Sequence, residues 1–253
     1  MLNHPTVSKL HTLRLTGMAT ALHEQSTQPD IGRLAFDERL GLLVDREMTE
    51  RDSRRLKLRL NQARLRQSAC LEDIDYRAAR GLDRTLMAGL ATGQWLREHL
   101  NILITGKSGV GKSWLSCALA NQACRLGFTA RYQRCDRLLT EMNVARGDGR
   151  YARMLAQIAK TDLICIDDFA LNAWTDVARR DLLEILDDRH GTRSTIVTAQ
   201  IPVKKWHEAI GDPTLADAIL DRLVHNSYRI ELTGLSQRPK IVPHLTEHDP
   251  ISP

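Results

Sequence analysis

From residue 101 onward, short β-branched apolar runs alternate with longer segments whose apolar residues recur at helical spacing. The runs 101–105, 129–134, 162–167, 194–199 and 228–232 read as strands. Several are apolar on both faces, as buried parallel strands are, and the segments between them are long enough for parallel crossovers. The pattern predicts an α/β fold, a parallel sheet flanked by helices. Residues 1–67 differ. There Leu10, Leu13, Leu15, Met18 and Leu22, then Leu34, Phe36, Leu40, Leu43 and Val44, keep helical spacing, with Pro29-Asp30-Ile31-Gly32 between the two groups. This predicts a small all-helical N-terminal domain over 1–67. Residues 68–100 read as a linker and a first helix running through Trp95, residues 101–235 as the core, and 236–253 as a poorly ordered proline-rich tail. No internal repeat is visible.

The densest chemistry follows the first strand. Residues 106–113 read Gly-Lys-Ser-Gly-Val-Gly-Lys-Ser, a complete P-loop between a strand and a helix-forming stretch from Trp114 to Leu126. Gly106, Gly109 and Gly111 let backbone N–H groups, with those of Val110 and Trp114 nearby, crowd around phosphate oxygens. Lys112 can reach the β- and γ-phosphates, and Ser113 offers a hydroxyl to Mg²⁺. A glycine-rich turn that happened to carry a lysine would leave Lys112 unexplained. The strand Leu163-Ile164-Cys165-Ile166 ends in Asp167-Asp168, 55 residues beyond Lys112, and reads as the second metal element. Asp167 is expected to hold Mg²⁺. Asp168 stands where many ATPases place a carboxylate that polarises water. Gln200, just past the strand 194–199, can orient that water or sense the γ-phosphate. An ordinary loop glutamine is the competing reading.

Charge adds a partner. The net charge is +5 and the pI about 9.1, and the excess is uneven. Arg51, Arg54, Arg55, Lys57, Arg59, Arg64 and Arg66 face one acidic residue between 51 and 66. Phosphate contact is preferred over a merely solvated helix face, and the lack of aromatics in the run argues against base stacking. A second basic group, including Arg137, Arg146, Arg150 and Arg153, lies on an inserted helical pair between the second and third strands. A single crossover helix would close the sheet, so the insertion is a candidate DNA contact; a decorated crossover is the alternative. Arg222, late on the helix beginning near Pro213, reads either as a surface ion-pair member or as an arginine offered to a neighbour's γ-phosphate. Five cysteines without a CxxC pair fit reduced thiols in a cytoplasm, and no run has the apolar length of a membrane span.

These residues resemble the IstB-type ATP-binding proteins of bacterial insertion sequences, relatives of the DnaC helicase loader and the DnaA initiator in the AAA+ superfamily. The resemblance spans most of the chain. It is carried by Leu71-Glu72-Asp73-Ile74-Asp75-Tyr76, Arg80-Gly81-Leu82, Asn101–Gly106, Gly149-Arg150-Tyr151-Ala152-Arg153, Ile166-Asp167-Asp168-Phe169, Thr198-Ala199-Gln200-Ile201-Pro202 and Asp221-Arg222-Leu223-Val224-His225-Asn226. It implies a P-loop AAA+ sheet and an ATPase using ATP and Mg²⁺. It further implies binding to double-stranded DNA with little sequence preference, homo-oligomers assembled with ATP, and help to a transposase. It maps Gln200 to sensor 1 and Arg222 to the arginine finger, and sets Ile74 and Tyr76 against the adenine. Asp168 departs from the family's usual Glu, and its shorter reach implies slow hydrolysis. Gln200 stands where relatives often carry Asn. The chain ends soon after the fifth strand, so the helical lid with its sensor arginine is expected to be minimal. A DnaC-like loader acting on single strands and a small-molecule P-loop kinase are the rival readings; the basic, aromatic-free run favours the transposition helper.

Overall fold

The structure, a computed structural model, describes residues 5–77 and 80–237. All but the first two residues of the expected tail lie outside that range.

Five parallel strands form the sheet: β1 (Asn101–Gly106), β2 (Ala130–Arg134), β3 (Leu163–Phe169), β4 (Ser194–Ala199) and β5 (Ser227–Leu232), in the order β2-β3-β4-β1-β5. Each expected strand is present within two residues at either end. The helices are α1 (Pro5–Thr12), α2 (Thr16–Thr27), α3 (Phe36–Ala63), α4 (Arg84–Ala91), α5 (Gln94–Arg97), α6 (Lys112–Arg125), α7 (Cys135–Gly147), α8 (Tyr151–Lys160), α9 (Asp176–Arg189), α10 (Trp206–Ile210) and α11 (Pro213–Val224). α7 and α8 are the inserted pair. α11 begins as the sequence indicated, with Asp212 capping Leu215 N–H and Pro213 in the first turn.

Alternation along β1 builds the two halves of the core. Ile102 and Ile104 pack on one face of the sheet with Leu115, Leu119, Met87 and Trp95. Leu103 packs on the other with Leu138, Leu182, Val197, Ile219 and Leu223. Each face is therefore sealed by helices, as a parallel sheet requires. Cys117, Cys124, Cys135 and Cys165 are buried free thiols; burial raises Cys124 to about 11 and Cys135 to about 12, which leaves both protonated and inert. Arg189 is buried too. Its guanidinium donates to the carbonyls of Ile158, Thr161, Asp162 and Ser194, tying α8 to the starts of β3 and β4.

The N-terminal helices are joined to each other by a buried carboxylate. α2 and α3 lie close enough that a Cβ at Gly17 would sit 2.7 Å from Glu47 Cα. Glu47, itself buried, accepts from Gly17 N–H at 2.7 Å and Met18 N–H at 3.2 Å, so it caps α2 from thirty residues away. The C-terminal part of α3 docks on the sheet module through Leu56, Leu60 and Ala63. Its other apolar residues do not: Phe36, Leu40 and Val44, and Leu34 before the helix, are exposed. Helical spacing located the helix correctly but did not bury that stripe.

Candidate nucleotide-binding site

The loops at the C-terminal ends of β1, β3 and β4 surround a cavity of about 840 Å³. This end of a parallel sheet is where ligands sit in open α/β folds. Gly109, Gly111, Lys112, Ser113 and Trp114 line it. Gly106 and Val110 shape the loop from below instead: Val110 is buried in the core, and a Cβ at Gly106 would stand 2.2 Å from Leu232 O on β5. Gly106 takes φ +147°, which with this contact leaves room for glycine alone. Lys112 is buried and donates to Lys107 O at 2.9 Å, curling its ammonium back over the loop.

Asp167 lies behind Ser113. It is fully buried, and the Ser113 hydroxyl lies 2.8 and 2.9 Å from its two oxygens. The Thr198 and Tyr132 hydroxyls also donate to it. Burial first, then this hydrogen bond, push the Tyr132 phenol up from its ordinary value, so it remains a donor. A hydroxyl and a carboxylate set together offer the hard oxygen donors that Mg²⁺ takes alongside water and phosphate. Among the described residues no cluster of three or more His, Cys, Asp or Glu side chains could hold a metal by itself.

Asp168 is displaced from the regular ladder. Ile166 pairs with Val197 and Phe169 with Ala199, so Asp167 and Asp168 together oppose Thr198, a bulge of two residues against one. Asp168 takes φ +58°, a left-handed conformation that aspartate tolerates better than most side chains. The Asp168 N–H donates to Thr198 Oγ1 at 3.2 Å and fixes the bulge. The Asp168 carboxylate faces the cavity with Arg134 Nε 3.2 Å away, and Gln200 lines the same space.

Comparison with known proteins now fixes the family. Residues 8–242 match the model of the IstB-like ATP binding protein family. The chain belongs to this family. An insertion-sequence ATP-binding protein of Sinorhizobium fredii is 52% identical over 238 residues, covering 94% of this chain and 97% of that one. The ATP-binding protein of insertion sequence IS1162 from Pseudomonas fluorescens is 53% identical over 203 residues, 80% of this chain and 88% of the relative. Solved structures share the fold at lower identity. The DnaC helicase loader matches with TM-score 0.54 and 14% identity over 65% of this chain and 97% of its own. A replication initiator DnaA bound to AMPPCP and single-stranded DNA matches with TM-score 0.52 and 16% identity over 67% of this chain and 51% of DnaA. The architecture of this IstB-family chain is therefore that of an AAA+ P-loop module.

Other expected residues fall elsewhere. Ile74 and Tyr76 do not line the cavity. Ile74 is buried in the core, Tyr76 packs against that core beneath Arg84, and their neighbours Asp73 and Asp75 face the space instead. Arg222 lies outside it, bound to Asp187 and Asp221 at 2.8 Å each. The basic run proves less free of acids than its own stretch implied, because α3 begins well upstream. Glu47 pairs with Arg51, Glu50 with Arg54 and Asp52 with Arg55, while Arg59 donates to Cys124 O. Lys57 has no ion pair among the described residues. In the insertion, Arg137 pairs with Glu141, Arg150 with Asp148 and Arg146 with the buried Asp181. Arg153 lines a separate surface hollow with Arg131 and Arg150.

Several residues in and behind the cavity were not singled out by the sequence. Thr198 sits between the apolar Val197 and Ala199, and Tyr132 between Arg131 and Gln133; neither setting marks a partner of Asp167. Arg66 reaches the cavity from the end of the basic run. The buried Arg80 stands at Gly111, its Nη1 3.0 Å from where a Cβ would project. Gln237 N–H donates to Gly109 O at 2.8 Å, drawing the segment after β5 across the P-loop. The signals available among these were the Arg80-Gly81-Leu82 and Thr198–Pro202 segments and the basic run that ends at Arg66.

Proposed function

We propose that this protein is a Mg²⁺-dependent ATPase that binds duplex DNA with little sequence preference, oligomerises on it with ATP, and assists a transposase. The observation that carries this reading is the convergence of Lys112, Ser113, Asp168 and Gln200 on one cavity, with the buried Asp167 bonded to Ser113 behind it, in a chain whose relatives are ATP-binding proteins of insertion sequences.

The P-loop N–H groups and Lys112 bind the triphosphate. Ser113 and Asp167 hold Mg²⁺, which when bound neutralises charge on the β- and γ-phosphate oxygens. Asp168 accepts a proton from water as that water attacks the γ-phosphorus, Gln200 orients the water, and ADP and phosphate leave. In the free subunit Asp168 is tied to Arg134, in keeping with slow turnover that rises when assembly or DNA frees it. Arg222 serves the site of a neighbouring subunit. The basic side of α3 and the α7–α8 insertion supply phosphate contacts, with β2 at the sheet edge between them.

Titration of labelled duplexes of unrelated sequence, with ATP and then with ADP, tests this. Binding that requires ATP, ignores sequence and disappears in Lys112→Ala supports it. Binding confined to single strands would favour a helicase loader instead.

A further inference from the structure

Arg66 joins the basic helix α3 to the nucleotide cavity. It follows the C-terminus of α3, where Arg64 ends the helix in a left-handed conformation (φ +50°) and Leu65 packs against the core. The next side chain turns into the nucleotide cavity. There Arg66 Nη1 lies 3.7 Å from Asp167 Oδ2, the same oxygen to which the Tyr132 hydroxyl donates.

The place of this cation along the cavity matters. Ser113 and Asp167 are the residues that would hold Mg²⁺, and they mark the side of the P-loop where the terminal phosphates would lie. A guanidinium beside that carboxylate is therefore at the γ-phosphate end. It is also under-used. Arg189 is fully buried and saturated by backbone carbonyls, whereas the Arg66 side chain is 49% exposed and holds Asp167 only at ion-pair distance. The planar donor fork of Arg66 suits phosphate oxygens, and would stay available to them with Asp167 engaged by a metal ion.

We infer that Arg66 is the residue with which this protein distinguishes ATP from ADP: a γ-phosphate ligand supplied in cis from the end of the basic helix. The inference rests on the nucleotide reading above. It makes γ-phosphate occupancy felt directly at the foot of α3, whose last turns dock on the sheet module through Leu56, Leu60 and Ala63.

The test is equilibrium binding of AMPPCP and of ADP, each with Mg²⁺, to the full chain and to Arg66→Gln and Arg66→Lys. Arg66→Gln should weaken AMPPCP about tenfold, the weight of one charge-assisted contact, and leave ADP within about twofold. Arg66→Lys, which keeps the charge but loses the fork, should fall between. The same order of AMPPCP affinities, parent above lysine above glutamine, is required whatever the variants' melting temperatures. Equal losses for both nucleotides, or no loss for either, would overturn the inference and leave Arg66 as a local counter-charge to Asp167. A parent chain that bound neither nucleotide would instead overturn the nucleotide site itself, and this inference with it.

Discussion

The Ser113 hydroxyl lies 2.8 Å from one oxygen of Asp167 and 2.9 Å from the other, bridging the start of α6 and the end of β3. Asp168, one residue on, is turned by its left-handed backbone toward the cavity. Adjacent carboxylates thus occupy unlike environments, one fully buried among hydroxyls and one facing open space.

That difference predicts separable effects. Asp168→Asn should keep Mg-nucleotide affinity and slow hydrolysis by roughly a hundredfold or more, the usual weight of a general base. Asp167→Asn should weaken Mg²⁺ binding itself. Magnesium titration of nucleotide affinity, set beside single-turnover hydrolysis, separates the two. Parent-rate turnover in Asp168→Asn would move the role of base elsewhere, with Gln200 the first residue to examine.

DNA affinity should fall steeply with salt. Replacing Arg54, Arg55, Lys57 and Arg59 by glutamine should flatten log K against log salt by up to about 4 units of slope. Lys57, with no ion pair among the described residues, should contribute more than Arg51, which is already spent on Glu47. A flat salt response in the parent would exclude phosphate neutralisation as the main term.

Glu47 carries an acid-sensitive contact. Burial would raise its carboxyl, but the Arg51 hydrogen bond and the N–H groups of Met18 and Gly17 hold it below the usual range. A depressed folded-state value means its contribution is full above the unfolded-state value of about 4.3 and is lost as pH falls through the folded one. Glu47→Gln should therefore cost about 1–3 kcal/mol at neutral pH. The gap between parent and variant in chemical denaturation should close below about pH 4. A gap unchanged from pH 7 to pH 3 would show that the charge is not what holds α2.

Much of this was legible in the sequence for physical reasons. Strands buried on both faces must be apolar throughout, so Ile102–Ile104 and Leu163–Ile166 announced themselves, and a phosphate loop can be written with few residues besides glycine and lysine. The partners of Asp167 were not legible. Tyr132, Thr198 and Arg66 come from three different segments, and only the sheet order β2-β3-β4 brings the first two beside β3. The exposure of Phe36, Leu40 and Val44 was likewise hidden, because periodicity reveals a helix's apolar face but not what covers it.

Arg222 cannot complete its own site. Asn101 Nδ2 donates to Arg222 O at 3.0 Å, at the N-terminal end of β1, while the P-loop leaves the C-terminal end. Six strand residues, roughly 20 Å, lie between them. If Arg222 acts on a neighbouring subunit, Arg222→Ala and Asp168→Asn should each be inactive alone, yet mixtures should regain part of the ATPase activity. Mixtures that stay inactive after confirmed subunit exchange would leave Arg222 as the ion-pair partner of Asp187 and Asp221.

The most direct measurement is steady-state ATP turnover by the purified chain with Mg²⁺, alone, with random-sequence duplex, and with single strands of the same length. A duplex-binding ATPase predicts slow basal turnover that rises with duplex DNA, rises less with single strands, and vanishes in Lys112→Ala. Turnover indifferent to duplex DNA, or stimulated by single strands alone, would contradict it.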